Sequence, residues 1–345
     1  MPSKLSIQEI RSLPKIDLHR HLDCSMRWST LLEIASTLKL EIPNQVSAQR
    51  NHFLVTEPMM DLQAVLNKFL IAQKLLASEE ILERLAFEAC EDAFNDGIRI
   101  LELRYAPTFI ADGHSNLTYE KIHQAFVKGV NKAQRNFPMT VGLICILQRI
   151  LPIEKSHYVT DFVIENKNTF LALDLADNEQ GSEPKKFAPL FNKAKKAGLH
   201  ITVHSGETPS PDAGQWIKDS IELLGAERIG HGIQAIHHPD VIKLLIEKNI
   251  PLEVCPYSNY LTQAFPSHKE HPLKKLFDAG VLVTLNSDDP GMFASVLSDE
   301  YLIAQDEHGF TEDHFKQCLL NSFQNSFIPM NEKLRVFTGA DFILA

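Results

Sequence analysis

Two spacings of apolar residues alternate along the chain. Short runs that are apolar or alternate apolar with polar fit strands, and each is followed by a longer stretch whose apolar positions recur at the helical period. The strand-like runs start at Lys15 and lead to Asp23. They continue with Ile98 to Tyr105, Thr140 to Leu147, Thr169 to Leu175, His200 to Val203, Arg228 to Gly230, Ile250 to Val254 and Val281 to Leu285. Helical stripes between them cover Tyr119 to Arg135 and about Ile153 to Lys167. Further helices close at Gly198, Gly225 and Gly280, and one opens at Pro239, a residue favoured at a first helical position. Eight strand-plus-helix units predict a parallel sheet with right-handed crossovers, and that number points to closure into an α/β fold of the (β/α)8 TIM barrel type. An open doubly wound sheet is the alternative, but no Gly-rich phosphate loop follows any strand.

One segment breaks the rhythm. From Cys24 to Asp96 the pattern is helical throughout, with Leu62, Val65, Leu66, Phe69 and Leu70 on one stripe and Ser78-Glu79-Glu80 opening the next helix with a cap and an acidic first turn. A helical insertion after strand 1 is thus predicted, either as a lid over the barrel mouth or as peripheral packing. Extra C-terminal helices are expected over about Ser295 to Phe327, one capped by Thr311. With no repeat, low-complexity stretch or linker to divide the chain, residues 1–345 read as a single domain.

Composition narrows the partner more than the fold. The chain is 44% hydrophobic and 23% charged, ordinary for a globular protein with a sizeable core. Its formal net charge of -10 argues against nucleic acid and against an anionic membrane surface, which leaves a small-molecule substrate as the expected partner. Met1 to Lys15 lacks the apolar core of a signal peptide, and no run approaches the ~20 apolar residues that cross a bilayer. Five scattered cysteines without a C-x-x-C pair read as free thiols in a reducing compartment, so a cytoplasmic location is expected. Nothing in the sequence sets an oligomeric state.

The working residues of such a barrel sit at the C-terminal ends of its strands. Strand 1 ends in His19, His21 and Asp23; the i, i+2 spacing puts both imidazoles on one side of the sheet. The fifth strand runs into His204-Ser205-Gly206-Glu207, the sixth into His231, the seventh into Ser258-Asn259 and the eighth into Asn286-Ser287-Asp288-Asp289. Any one of these polar residues can be a satisfied structural group, whereas five strand ends of this chemistry point to one site. His19, His21, His204 and Asp288 offer three imidazoles and a carboxylate with a position left for water, a set that suits one Zn2+ per subunit. Such an ion lowers the pKa of its water from 15.7 to about 7. Glu207, three residues after a ligand, is close enough to act on substrate, and His231 and Asp289 are candidates to orient and deprotonate the water. His237, His238, His268 and His271 fall in predicted helices or loops and are expected at the surface. Thr169 to Asn178 contains no lysine that could bridge a second metal ion. Cys255-Pro256 has the wrong order for the P-C-x-x-C pattern of the cytidine-deaminase type.

The runs Leu18-His19-Arg20-His21-Leu22-Asp23, His204 to Glu207, Arg228 to Gly232, Cys255 to Asn259 and Ser287 to Pro290 are collinear and together specific. In them the chain resembles the adenosine deaminase family of the amidohydrolase superfamily. The resemblance implies hydrolytic deamination of a purine, a 6-aminopurine nucleoside, by a zinc-bound hydroxide at C6, with His19, His21, His204 and Asp288 holding the metal. It further implies that Glu207, kept protonated by a desolvated pocket, gives a proton to ring N1. His231 would position and help activate the water, Asp289 would orient it, and Asp23 would meet a ribose hydroxyl. The family's Asp-Leu-Ala-Gly-Asp-Glu after strand 4 is here Asp174 to Glu179 with Asp177 at the glycine, whose amide contacts a purine ring nitrogen; Cys24 replaces a common glycine after Asp23. Three readings follow. The first is deamination of adenosine or 2'-deoxyadenosine to inosine or 2'-deoxyinosine. The second is deamination of adenine, an aminodeoxyfutalosine-like compound or a modified nucleotide, and the third an inactive metal-holding binding protein on the same barrel.

Overall fold

Eight strands pair in sequence order, every pair parallel, in a computed structural model that describes residues 4–337. They are β1 (Lys15–His21), β2 (Ile98–Tyr105), β3 (Thr140–Gln148), β4 (Ala172–Ala176), β5 (His200–Ser205), β6 (Arg228–His231), β7 (Leu252–Val254) and β8 (Val283–Leu285). The last strand meets the first at their C-terminal ends. There Arg20 and Asp288 form a parallel bridge, His21 N donates to Asp288 O at 2.8 Å, and Asp288 N donates to His19 O at 2.9 Å. Leu18 N also donates to the Asn286 side chain at 2.9 Å. The (β/α)8 barrel expected from the spacing is the observed architecture. Both ends of the single-domain span 1–345, residues 1–3 and 338–345, lie outside the described residues.

Three strands begin later than their apolar runs do, and the backbone gives the reason. Thr169 N and Phe170 N donate to Asn166 O, Ile250 N to Leu245 O, and Val281 N to Leu276 O. Each amide closes the end of the preceding helix, so the first apolar residues of those runs are spent on helix termination. Among the described residues no helix is long and apolar enough to cross a membrane. All five cysteines are free and buried.

The outer face of the barrel is aliphatic and packs on the surrounding helices; Leu101, Leu103, Leu173, Ile201, Ile229 and Leu252 are all unexposed. Inside, charge replaces much of the usual branched filling. Arg104 bonds both Asp174 and Glu253 at 2.8 Å, while Arg228 reaches Glu253 at 2.6 Å and Glu102 at 2.7 Å, all with no exposed surface. Ions so deeply desolvated persist only because each has close opposite charges.

The insertion after β1 supplies four helices, Trp28–Thr37, Val46–Phe53, Leu62–Gln73 and Glu79–Asn95. They divide the two roles expected of it. Glu79–Asn95 packs peripherally on Tyr119–Asn136, so closely that a Cβ on Gly129 would lie 2.3 Å from Glu83 O. Leu62–Gln73 instead lies over the mouth, where Val65 and Phe69 pack with Cys24, Leu261, Met292 and Phe293 and its other residues wall the cavity below.

Candidate metal and catalytic site

The strand ends bring the predicted ligands together. His21 Nε2 lies 3.2 Å from His204 Nε2, and Asp288 Oδ1 lies 3.3 Å from both His19 Nε2 and His21 Nε2. Donor atoms held about 2.1 Å from one ion at tetrahedral angles are about 3.4 Å apart, so these separations are those of ligands around a shared cation. Two of the facing nitrogens, Nε2 of His19 and of His204, present lone pairs. His19 Nδ1 meets Glu253 at 2.7 Å and His204 Nδ1 meets Asp174 at 3.0 Å, which puts each ring's proton on Nδ1 and leaves Nε2 bare. Buried His19 Nε2 has no hydrogen-bond partner. Bare nitrogens packed on a carboxylate repel one another without a positive charge between them, and the set therefore fits a divalent ion. His231 is close by: one donor atom from each of His19, His204, His231 and Asp288 falls within 4.8 Å of the others, as do those of His21, Asp288 and Asp289.

Local backbone explains the convergence. His231 and Asp288 take positive φ values of 58° and 60°, a conformation rare for a side-chain-bearing residue, which turns each ring or carboxyl inward as its strand ends. Gly230 makes room for the imidazoles; a Cβ there would sit 3.0 Å from the His19 ring and 3.2 Å from His204 Cα. The turn carrying Glu207 is held by Glu179, which accepts from the backbone N–H of Gly206, Glu207 and Thr208 at 2.7–3.0 Å. Thr262 donates to Glu207 Oε1 at 3.2 Å, leaving Oε2 facing His231 Nε2 at 3.7 Å.

Burial is the main electrostatic force here. It pushes the Glu207 carboxyl up to about 8, with the charges of Asp288 and Glu179 adding to it. The same desolvation raises Asp23 to about 7 and, helped by Asp288, lifts Asp289 well above the carboxylate range. Asp288 goes the other way: burial opposes its ionisation, but the imidazole of His19 overcomes that and holds it low. Burial keeps His21 and His231 neutral. Asp23 Oδ2 accepts from Ala106 N at 3.1 Å, while Oδ1 is buried without a partner. Asp177 stands at φ 87°, where a glycine is free of strain, and accepts from Asn178 N and Gln148 Nε2. A cavity joins these groups, lined by the acids Asp23, Asp177, Glu207, Asp288 and Asp289 and by no lysine or arginine.

Every predicted site residue thus lines one place. What the sequence reading missed is the shell behind it: Asp174, Glu253 and Arg104 inside the barrel, Glu179 under the turn, and Thr262. A charged residue inside a three-residue apolar strand, as Glu253 is, was the available signal. One expectation was wrong. His237 is exposed and His238 and His268 are half-buried, but His271 is buried, because its Nε2 bonds Asn259 within the barrel-end packing.

Known proteins share both this sequence and this shape. The model of the family described as Adenosine deaminase matches residues 14–341. Adenosine deaminase of Klebsiella pneumoniae is 35% identical over 323 residues, 93% of this chain and 96% of its own. The crystal structure of Arabidopsis ADAL complexed with GMP superposes with a TM-score of 0.84 at 27% identity, covering 97% of this chain and 98% of that one. Adenine deaminase from Arthrobacter aurescens has the same fold, with a TM-score of 0.88 at 23% identity over 96% of this chain and all of its own. Agreement over nearly the whole length in sequence and in structure leaves one conclusion: the chain belongs to the adenosine deaminase family.

Proposed function

We propose that this protein hydrolyses the 6-amino group of adenosine and 2'-deoxyadenosine, giving inosine or 2'-deoxyinosine and ammonia. His19, His21, His204 and Asp288 would hold one zinc ion, which when bound supplies the Lewis acidity that makes water nucleophilic at neutral pH. The chain's own residues do the rest. Glu207, protonated at pH 7, donates to the ring nitrogen beside C6 and makes that carbon electrophilic. Asp289, with its buried Oδ1 unpartnered, and His231 orient the water that adds at C6; the C6–N bond then breaks and ammonia leaves. The unpartnered Asp23 Oδ1 takes a sugar hydroxyl. Beneath the helix Leu62–Gln73 the cavity closes over the base and excludes water from it.

The observation that carries this reading is the convergence of His21 Nε2 and His204 Nε2 on Asp288 beside a protonated Glu207. A nucleoside is favoured over a nucleotide because the cavity lining offers a phosphate five acids and, among the described residues, no lysine or arginine. A second reading, another 6-aminopurine, is motivated by the carboxylate of Asp177 at the base end. Zinc-loaded protein offered adenosine, 2'-deoxyadenosine, adenine, an aminodeoxyfutalosine-like compound and a 6-aminopurine nucleotide separates the two by loss of ring absorbance and release of ammonia. Preference for adenosine is expected. Turnover of none of the adenine nucleosides would end the proposal.

A further inference from the structure

His271 is 3% exposed, lies outside the cavity and has no part in the chemistry above, yet it connects to His231 through one residue. Leu273 N donates to His271 Nδ1 at 3.1 Å. A backbone N–H can only donate, so Nδ1 is bare and the proton of the neutral ring sits on Nε2. That nitrogen is 3.1 Å from Asn259 Oδ1 and donates to it. By shape alone the two ends of the Asn259 amide are interchangeable, and this contact distinguishes them. Its nitrogen therefore faces His231 Nδ1, at 3.1 Å, and donates there.

From this fixed sequence of donors we infer that His271 and Asn259 are positioning residues that hold the proton of His231 on Nε2. Nε2 is the nitrogen facing Glu207 Oε2 at 3.7 Å and Asp288 Oδ2 at 3.9 Å. Asn259 is wholly buried. Each ring accepts at Nδ1, so each carries its single ring proton on Nε2. The consequence concerns the direction of a hydrogen bond. His231 presents an N–H to the oxygen that adds at C6; it steadies charge growing on that oxygen and does not take the water's proton, which passes to Asp288, whose Oδ2 faces the same point. The kinetic part of this rests on the deaminase reading, and the tautomer does not.

The test reads the tautomer directly, by long-range 15N–1H spectra of histidine-labelled, zinc-loaded full-length protein without substrate, with His231 assigned by comparison with His231→Gln. Wild type should show Nε2 protonated and Nδ1 bare. Asn259→Asp places acceptors toward both rings and should move the His231 proton to Nδ1, with kcat falling about 10²-fold and KM changing less than about three-fold. His271→Leu removes the anchor and should lower kcat at a similar KM. His271→Gln, whose amide can accept from Leu273 and donate to Asn259, should recover most of the loss. A wild-type proton on Nδ1 overturns the inference, as does an unchanged tautomer in Asn259→Asp or a His271→Gln variant as slow as His271→Leu. Should His271→Leu fail to fold, the wild-type and Asn259→Asp spectra still decide. Absence of adenosine turnover would sink the proposed function while leaving these spectra as they are.

Discussion

At the scale of single residues the site sorts its carboxyls by surroundings. Asp288, against His19, stays ionised, whereas Glu207, buried to the same depth and among the described residues given a hydrogen bond by Thr262 alone, keeps its proton up to about pH 8. An acid that must donate is active in its protonated form. A folded value raised above the ordinary 4.5 means that the proton is present below about 8 and lost above it. The rate kcat/KM should accordingly fall as pH rises through about 8, and a pH–rate profile placing that limb near 4.5 would contradict the assignment. Glu207→Gln keeps the shape and removes the transferable proton. Its kcat should drop about 10³-fold while bound zinc per chain, measured by atomic absorption, stays at the wild-type level. A variant losing metal in parallel would place Glu207 among the ligands instead.

At the scale of elements, the sequence disclosed which strand ends carry chemistry because strand geometry has a short period. Two histidines spaced i, i+2 on β1 had to share a side, and His204 and Asp288 had to follow apolar runs to reach the barrel mouth. Partners across the barrel were not legible, since Glu253 in the sequence is one acid between Leu252 and Val254 with nothing to say that it meets His19, Arg104 and Arg228. Nor was the burial of His271, which depends on how the turn after Ser267 folds back onto Asn259. β7 is three residues long, yet its central side chain joins the metal site to two buried guanidiniums, those of Arg104 and Arg228. Glu253→Gln should therefore act on two properties at once. Loss of the carboxylate behind His19 should weaken zinc about 10–100-fold in competition with a chromogenic chelator. Arg104 and Arg228, each left with one carboxylate, Asp174 and Glu102, should lose about 3 kcal/mol of stability between them in denaturant unfolding. Wild-type zinc affinity in a destabilised variant would show that the Nδ1 contact does not tune the ligand.

At the scale of the molecule, the proposed ligand set spans the seam of the barrel. Leu18 and Asn286 are 268 residues apart in sequence, and the backbone contacts around them are what join β1 to β8, itself only three residues long. His19 and His21 come from β1, His204 from β5 and Asp288 from just past β8, so an ion held by them cross-links the first strand, the last and the opposite wall. Removing it leaves the Nε2 atoms of His19 and His21 3.3 Å from Asp288 Oδ1 with no cation between them, and the cross-link across that seam is lost. A ligand bound only by the folded state stabilises it by about 2.7 kcal/mol at a hundred times its dissociation constant. Dialysis against a chelator should thus lower the thermal midpoint by several degrees, and the midpoint should climb again with the logarithm of added free zinc. Amide hydrogen exchange should locate the loosening, with protection lost first at His21 and Asp288, whose N–H groups bond across the seam. Equal melting of chelated and zinc-loaded protein, with unchanged exchange at those two amides, would mean that the backbone bridge alone closes the barrel and that the ion serves only the chemistry.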